Sequence, residues 1–297
     1  MYEVIALRKT LAIIALSFAL SGCGGKPNPD SVSSPSAVVD TTVAQLIDTV
    51  GNPDKVRLSA KLPREQALAA ANDYPPSTGK WFEGENGFNL MTSYTSDETR
   101  AGSDVGAAIG KIPDGRSVRF QLTSRDKAGK RMELIAEYLA NHKNTIDGRL
   151  DFTCKIPEHP DTNYLLSMEI LSPEGVVEDT FITPVFVPPN ELNARLNVKP
   201  PEVGTDRTEL SIYNAGPTDL FLGYGYSIYR KEAEGWVSVP LDRAVPAIGI
   251  VVKPGGSFKE EVPFYPELQS GQYRVVKQFE GNQTDLSAKL AADFTVS

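Results

Sequence analysis

The sequence predicts a mainly β protein: a C-terminal β-sandwich preceded by a second sandwich-like unit that carries one short helix. Three observations predict this. Polar and apolar residues alternate with period two through most of the chain after residue 88. Turn formers such as Asp147-Gly148, Pro173-Glu174-Gly175, Glu234-Gly235 and Pro254-Gly255-Gly256 punctuate that alternation. Clear helix signals are confined to residues before Tyr74.

The chain opens with basic Arg8-Lys9 and then Thr10–Leu20, apolar except for Thr10 and Ser17. Eleven residues at about 1.5 Å each span roughly 16 Å, short of a bilayer core of about 30 Å. Charge, a short apolar run and then small residues is the order of an export signal. Lys26–Ser36 (KPNPDSVSSPS) has the composition of a disordered tether. Val38–Val50 is expected to hold a short helix capped by Asp40 or Thr41. Pro63–Asn72 is the best helical stretch, with proline at its start and alanines and leucine inside.

Strands are expected next at 88–94, 116–123, 149–156, 164–171 and 176–187, the last two forming a hairpin around Ser172–Gly175. Arg131–Leu139 fits either a strand or a helix. Pro188-Pro189-Asn190-Glu191 reads as a junction, and Pro200-Pro201 would serve as well. The C-terminal hundred residues are expected to fold alone, with strands at 209–213, 225–231, 236–239, 248–252, 257–262, 271–280 and 286–296. Ala-rich SAKLAAD is a weak strand former, so the last strand is expected to be short.

Removing residues 1–22 takes away Arg8, Lys9 and Glu3, so a net charge of −8 becomes −9. An acidic surface argues against nucleic-acid partners and is an ordinary solubility device. Beyond Cys23 the one remaining thiol is Cys154, which excludes an internal disulfide. Alternation places Cys154 on the apolar face of LDFTCKI with Leu150, Phe152 and Ile156, as a small core residue.

Chemistry is sparse. Ser124-Arg-Asp-Lys127 matches the Ser-x-x-Lys pair of penicillin-interacting serine enzymes, but the companion Ser-Asp-Asn and Lys-Thr-Gly motifs are missing and Asp126–Lys130 reads as a hairpin tip. Gly106-Ala-Ala-Ile-Gly110-Lys111 is one residue short of a P-loop, lacks its Ser/Thr and is expected to be a loop. His142 and His159 are the only imidazoles and form no zinc spacing with Cys154, so no metal or cofactor is expected. Asn282-Gln283-Thr284 fits a glycosylation acceptor that bears no weight in a bacterial setting. Phe221, Tyr224, Tyr226 and Tyr229 form a local aromatic cluster, read as sandwich packing.

Two resemblances add to this. Leu20-Ser21-Gly22-Cys23 resembles the lipobox read by lipoprotein signal peptidase in every position. The resemblance implies cleavage before Cys23, a diacylglycerol and palmitate on that residue, and anchoring on the extracytoplasmic face of a cell membrane. Residues from about Arg207 onward resemble the bacterial immunoglobulin-like domain. The matching pieces are Glu209–Asn214, Tyr226–Lys231 with Trp236, Val252–Gly255 and Ser270–Lys277. That resemblance implies an Ig-like sandwich and no catalytic residues. Within it, Leu268, Gly271 and Tyr273 resemble a tyrosine corner, and Trp236 is expected to fill the core.

The expected organisation is a signal peptide (1–22), a lipid-anchored tether (23–54), a β-rich domain (55–190) and an Ig-like domain (195–297). The expected function is a non-enzymatic surface lipoprotein that binds or spaces an envelope protein or the cell wall. The alternative is an enzyme or enzyme inhibitor with its site in residues 55–190.

Overall fold

A computed structural model describes residues 40–82, 90–202, 204–241, 244–264 and 267–297. The lipobox residues and Phe88 lie outside the described residues. In chain order the elements are β1 (Thr49–Val50), α1 (Arg64–Ala69), β2 (Met91–Tyr94), β3 (Asp97–Glu98), β4 (Asp104–Ile109), β5 (Ser117–Arg125), β6 (Arg131–Asn141), β7 (Leu150–Lys155), β8 (Thr162–Leu171) and β9 (Val177–Val187). They continue as β10 (Ala194–Val198), β11 (Arg207–Asn214), β12 (Leu220–Leu222), β13 (Ser227–Glu232), β14 (Gly235–Val239), β15 (Ile250–Val252), β16 (Ser257–Pro263), β17 (Gly271–Gly281) and β18 (Ser287–Val296). The fold is mainly β.

The first sandwich sets the sheet β2-β4-β7 against the sheet β3-β9-β8-β5-β6. Its core comes from alternate residues of both: Val105, Ala107 and Ile109 of β4, Phe152 of β7, Val118, Phe120 and Leu122 of β5, and Leu166, Met168 and Ile170 of β8. Strand β8 is buried on both faces, because residues 62–74 cover its outer side with Ala71 and Tyr74 against Leu165. The second sandwich sets β1-β10-β11-β16 against β14-β13-β17-β12-β15, with β18 on the other edge of β17. Its core joins Leu196, Leu210, Ile212 and Val262 to Leu220, Ile228, Val275, Phe279, Leu290 and Phe294.

Several expectations change. Asp40 caps, accepting from Thr42 N (2.9 Å), but the turn it opens is a single 3-10 turn at Val43–Gln45 and not a helix. Neighbouring strands take the following backbone groups: Ile47 O accepts from Ala291 N (2.9 Å) and Asp48 O from Leu196 N (2.8 Å), after which β1 pairs with β10. Residues 40–54, expected at the end of the tether, thus form a strap laid on the second sandwich. Arg131–Leu139 is a strand throughout, its Ala136, Tyr138 and Ala140 facing the core. Gly106–Ile109 is the interior of β4 and not a loop. A Cβ on Gly106 would lie 2.0 Å from the Phe152 carbonyl oxygen, so glycine is there for a close strand approach. Strand β18 runs its full length, and its alanines let the strap and the facing sheet come near.

Trp236 lies outside the main core. It is on the outer face of the second sheet with Tyr229, Val276 and Ala291, covered by Val43 and Leu46 of the strap. The Arg274 guanidinium stacks 4.5 Å from its ring and also donates to Val43 O (2.7 Å). The packing that was expected between the sheets is therefore provided by the strap on their outside.

Candidate functional site

The residues singled out for chemistry are dispersed. Ser124 lies on β5, and its hydroxyl oxygen accepts from Glu133 N (3.2 Å). Asp126–Lys130 is a hairpin tip closed by Asp126 N to Lys130 O (3.0 Å), so Ser124 and Lys127 do not sit on one helical face. His142 starts an exposed 3-10 turn capped by Asn141. Cys154 is half-buried on the core face of β7, and burial, with the Asp104 charge, pushes its thiol up to about 11. A catalytic thiol requires the opposite shift. Of the aromatic cluster, Tyr226 packs on the inner core and Tyr229 on the outer one, Tyr224 meets Phe258 edge-on at 5.5 Å, and Phe221 is exposed. The Tyr273 hydroxyl donates to Gln269 O (2.7 Å), across the bend that leads through Gly271 into β17. Among the described residues no group of three His, Cys, Asp or Glu side chains could hold a metal ion.

Side chains from distant parts of the chain converge instead at the junction of the two sandwiches. Lys61 Nζ reaches Glu98 Oε1 (2.9 Å), and Asn282 Nδ2 donates to Glu98 Oε2 (2.6 Å). Lys253 pairs with Asp219 beside them. Arg100 bonds Asp285 Oδ1 (2.5 Å) and Thr284 O (3.1 Å), and Arg57 bonds Glu191 (2.5 Å). Each of the Lys61–Glu98, Asn282–Glu98 and Arg100–Asp285 contacts joins one sandwich, or the segment leading into it, to the other. Neutral amides complete the closure: Asn193 Nδ2 donates to Gly216 O (2.5 Å), Asn163 Nδ2 to Ala60 O (2.7 Å), and Thr218 Oγ1 to Pro189 O (2.7 Å).

Electrostatics at the junction follow burial and partners. Burial alone would raise Glu98, but the hydrogen bond and charge of Lys61 and the bond from Asn282 outweigh it and hold the carboxyl below its ordinary value. Asp219 goes the other way, because burial and the nearby Glu98 charge exceed what Lys253 returns. Beside these charges runs a cleft of about 490 Å³ walled by Leu58, Pro63, Phe186, Pro188, Pro217 and Pro254. Rigid rings and paired charges suit holding two bodies at one angle. They offer no nucleophile beside a base.

A second fixed point lies within the first sandwich. The buried Asp179 carboxylate accepts from the backbone N–H groups of Thr78 (2.8 Å), Trp81 (2.6 Å), Phe82 (3.1 Å) and Thr180 (2.9 Å). Glu178 gathers Arg116 (3.2 Å), Lys80 (3.0 Å) and the Trp81 indole (3.0 Å), and those bonds bring its carboxyl down to about 2. These neighbours pin residues 77–82 to β9.

The second sandwich defines the class of fold: residues 189–295 match the sequence profile of the bacterial Ig-like domain family. That region is therefore Ig-like, and the strap and first sandwich lie outside the match. No curated protein matches the chain. Solved structures similar to it include the fibronectin(III)-like modules of Clostridium thermocellum CbhA, at 12% identity over 70% of this chain and 93% of that one, with a TM-score of 0.34. A tetra-tandem repeat from the extending region of a large adhesion protein is 11% identical over 70% and 48% of the two chains, TM-score 0.27. A membrane-anchored protein of Corynebacterium diphtheriae is 12% identical over 70% and 58%, TM-score 0.24.

Proposed function

We propose that the chain is a lipoprotein, anchored by lipid on Cys23 to the extracytoplasmic face of a membrane, that presents its two sandwiches to an envelope protein or the cell wall as a binding or spacing unit and not as an enzyme. The observation that carries this reading is the junction. Ion pairs, amides and prolines fix the sandwiches to each other, as a rigid spacer requires and a cleft that opens and closes on substrate does not. The Ig-like match over residues 189–295 supports a surface role. The raised thiol of Cys154 and the capping duties of the Ser124 and His142 regions support the non-enzymatic part. Fold alone decides neither.

Cys23→Ala tests the anchor. Metabolic palmitate labelling and membrane fractionation should both lose the protein while the sandwiches stay folded; continued labelling of the variant refutes the lipid site. Crosslinking in cells should trap a protein or wall partner. Hydrolase substrate panels should give no turnover, and turnover abolished by Ser124→Ala, His142→Ala or Cys154→Ala would establish an enzyme.

A further inference from the structure

We infer that the Ig-like sandwich, although C-terminal in sequence, is the one nearest the membrane, and that its exposed apolar loop Ala244–Gly249, with Phe221 and Val251, rests on the lipid bilayer. The inference builds on the anchoring reading above and starts from the strap. Asp40 N donates to Trp236 O (3.1 Å), and Val43 and Leu46 then cross Trp236, Val276 and Ala291. The chain leading from Cys23 therefore reaches the body on the outer face of the second sandwich's larger sheet. Gly24–Val39 is sixteen residues, which span at most about 55 Å when extended and roughly 20–25 Å as a random coil. The first sandwich begins only after the strap, and its β8–β9 turn lies at the end opposite the junction.

The same outer face carries the apolar patch. Leu220 and Leu222 point into the core, so Phe221 between them points out, and it pairs with Val251 on β15. Six consecutive residues, Ala244-Val-Pro-Ala-Ile-Gly249, are all exposed and none is charged; Ile248 is 57% and Val245 47% accessible. A Cβ on Gly249 would lie 2.6 Å from the Phe221 ring, so the loop is folded down onto that face. Exposed apolar runs of this kind are unusual on soluble surfaces and mark contact sites. Charges on the face balance: Lys231, Arg274 and Lys289 stand against Asp40, Glu280 and Asp293. In a mature chain of charge −9, this face is spared the repulsion that anionic head groups exert elsewhere. A short tether arriving on the face that holds an uncharged apolar loop selects the bilayer as its occupant.

The test uses the lipidated protein in mixed phosphatidylcholine–phosphatidylglycerol vesicles, with Cys154→Ser to remove the half-buried thiol. An environment-sensitive fluorophore is placed through Ile248→Cys or, beside the β8–β9 turn, through Val176→Cys. Spin-labelled lipid should quench the probe at 248 and leave the probe at 176 untouched. An unquenched 248, or a quenched 176, overturns the inference. If Cys23 proves unlipidated, the anchoring reading falls by itself, and the Cys23→Ser chain then tests the loop. It should sediment with the same vesicles, and Ile248→Ser should weaken this roughly three- to tenfold; no sedimentation overturns the loop contact. A micromolar dimer in sedimentation velocity that Ile248→Ser abolishes would assign the patch to a second copy and also overturn it.

Discussion

Lys277 is a lysine between two β-sheets. It occupies the inner face of β17 in line with Tyr273, Val275 and Phe279, and only 1% of its side chain is accessible. Its ammonium pairs with Glu260 of β16, in the opposite sheet, and donates to Gly223 O (2.6 Å). Glu260 is buried too, at 4% side-chain exposure. Replacing one partner leaves the other charge without its counter-ion inside the core. Lys277→Met or Glu260→Leu alone should therefore destabilise the second sandwich by about 3–5 kcal/mol. The pair together should recover most of that loss, because an apolar replacement of a whole buried ion pair is often neutral. The measurement is urea unfolding followed by Trp236 fluorescence in a Trp81→Phe background, so that the one remaining tryptophan reports this sandwich. With a slope of about 1.5 kcal/mol per molar urea, each single variant should lower the midpoint by roughly 2–3 M. Single variants that lose under about 1 kcal/mol, or a double variant as unstable as the two singles combined, would refute the reasoning.

Other outcomes follow from groups already described. Tyr273→Phe removes the bond to Gln269 O and should lower the stability of the second sandwich by about 0.5–1.5 kcal/mol in the same assay; an unchanged midpoint would show the bond to be replaced by water. With its thiol near 11 against an ordinary 9.0, Cys154 should be alkylated at pH 8 about a hundredfold more slowly than a free cysteine, and a rate like that of free thiol would count against its burial. Asp73, Glu98, Glu178 and Asp179 all titrate below their ordinary values when folded. Their stabilisation is complete above the unfolded value, 4.5 for Glu178, and is lost as pH falls towards about 2. Melting temperature should accordingly drop between those limits, and Glu178→Gln should flatten part of the drop; an identical slope in the variant would exclude Glu178 as a contributor.

Period-two alternation made most strands legible, because one face of each is packed and the other is wet. Phe120 and Arg119 on β5, or Ile212 and Ser211 on β11, are cases where the pattern alone places the side chain. The strands that were missed lack that contrast. Strand β4 reads Asp-Val-Gly-Ala-Ala-Ile, whose small residues serve a close approach to β7, and β12 is only three residues long. The strap was illegible for another reason. Nothing local to Val43 or Thr49 says that Trp236 and Arg195 will meet them, since those partners are set by tertiary closure. The junction is illegible in the same way: Lys61, Glu98, Asp219, Lys253 and Asn282 each look like ordinary surface polar residues until the fold brings them together. Lys277 did leave a trace, a charge in register with an apolar row, which alternation alone could have flagged.

The strap also makes the second sandwich a discontinuous unit. Its first strand precedes the first sandwich and the rest follows it, so the first sandwich is an insertion between residues near 54 and 191. The two ends of that insertion are neighbours: Asn193 Oδ1 accepts from Asn52 N at 2.6 Å, and Arg57 meets Glu191 at 2.5 Å. Such closeness lets one module be exchanged for another without disturbing its host. It also sets an order of assembly. Asn52 and Asn193 are separated by 141 positions, so at about 5–20 residues per second the strap waits roughly 7–30 s after its own synthesis for its docking surface to be made. The first sandwich, whose contacts are complete within its own stretch of chain, can close during that wait and thereby deliver the strap already positioned beside β10.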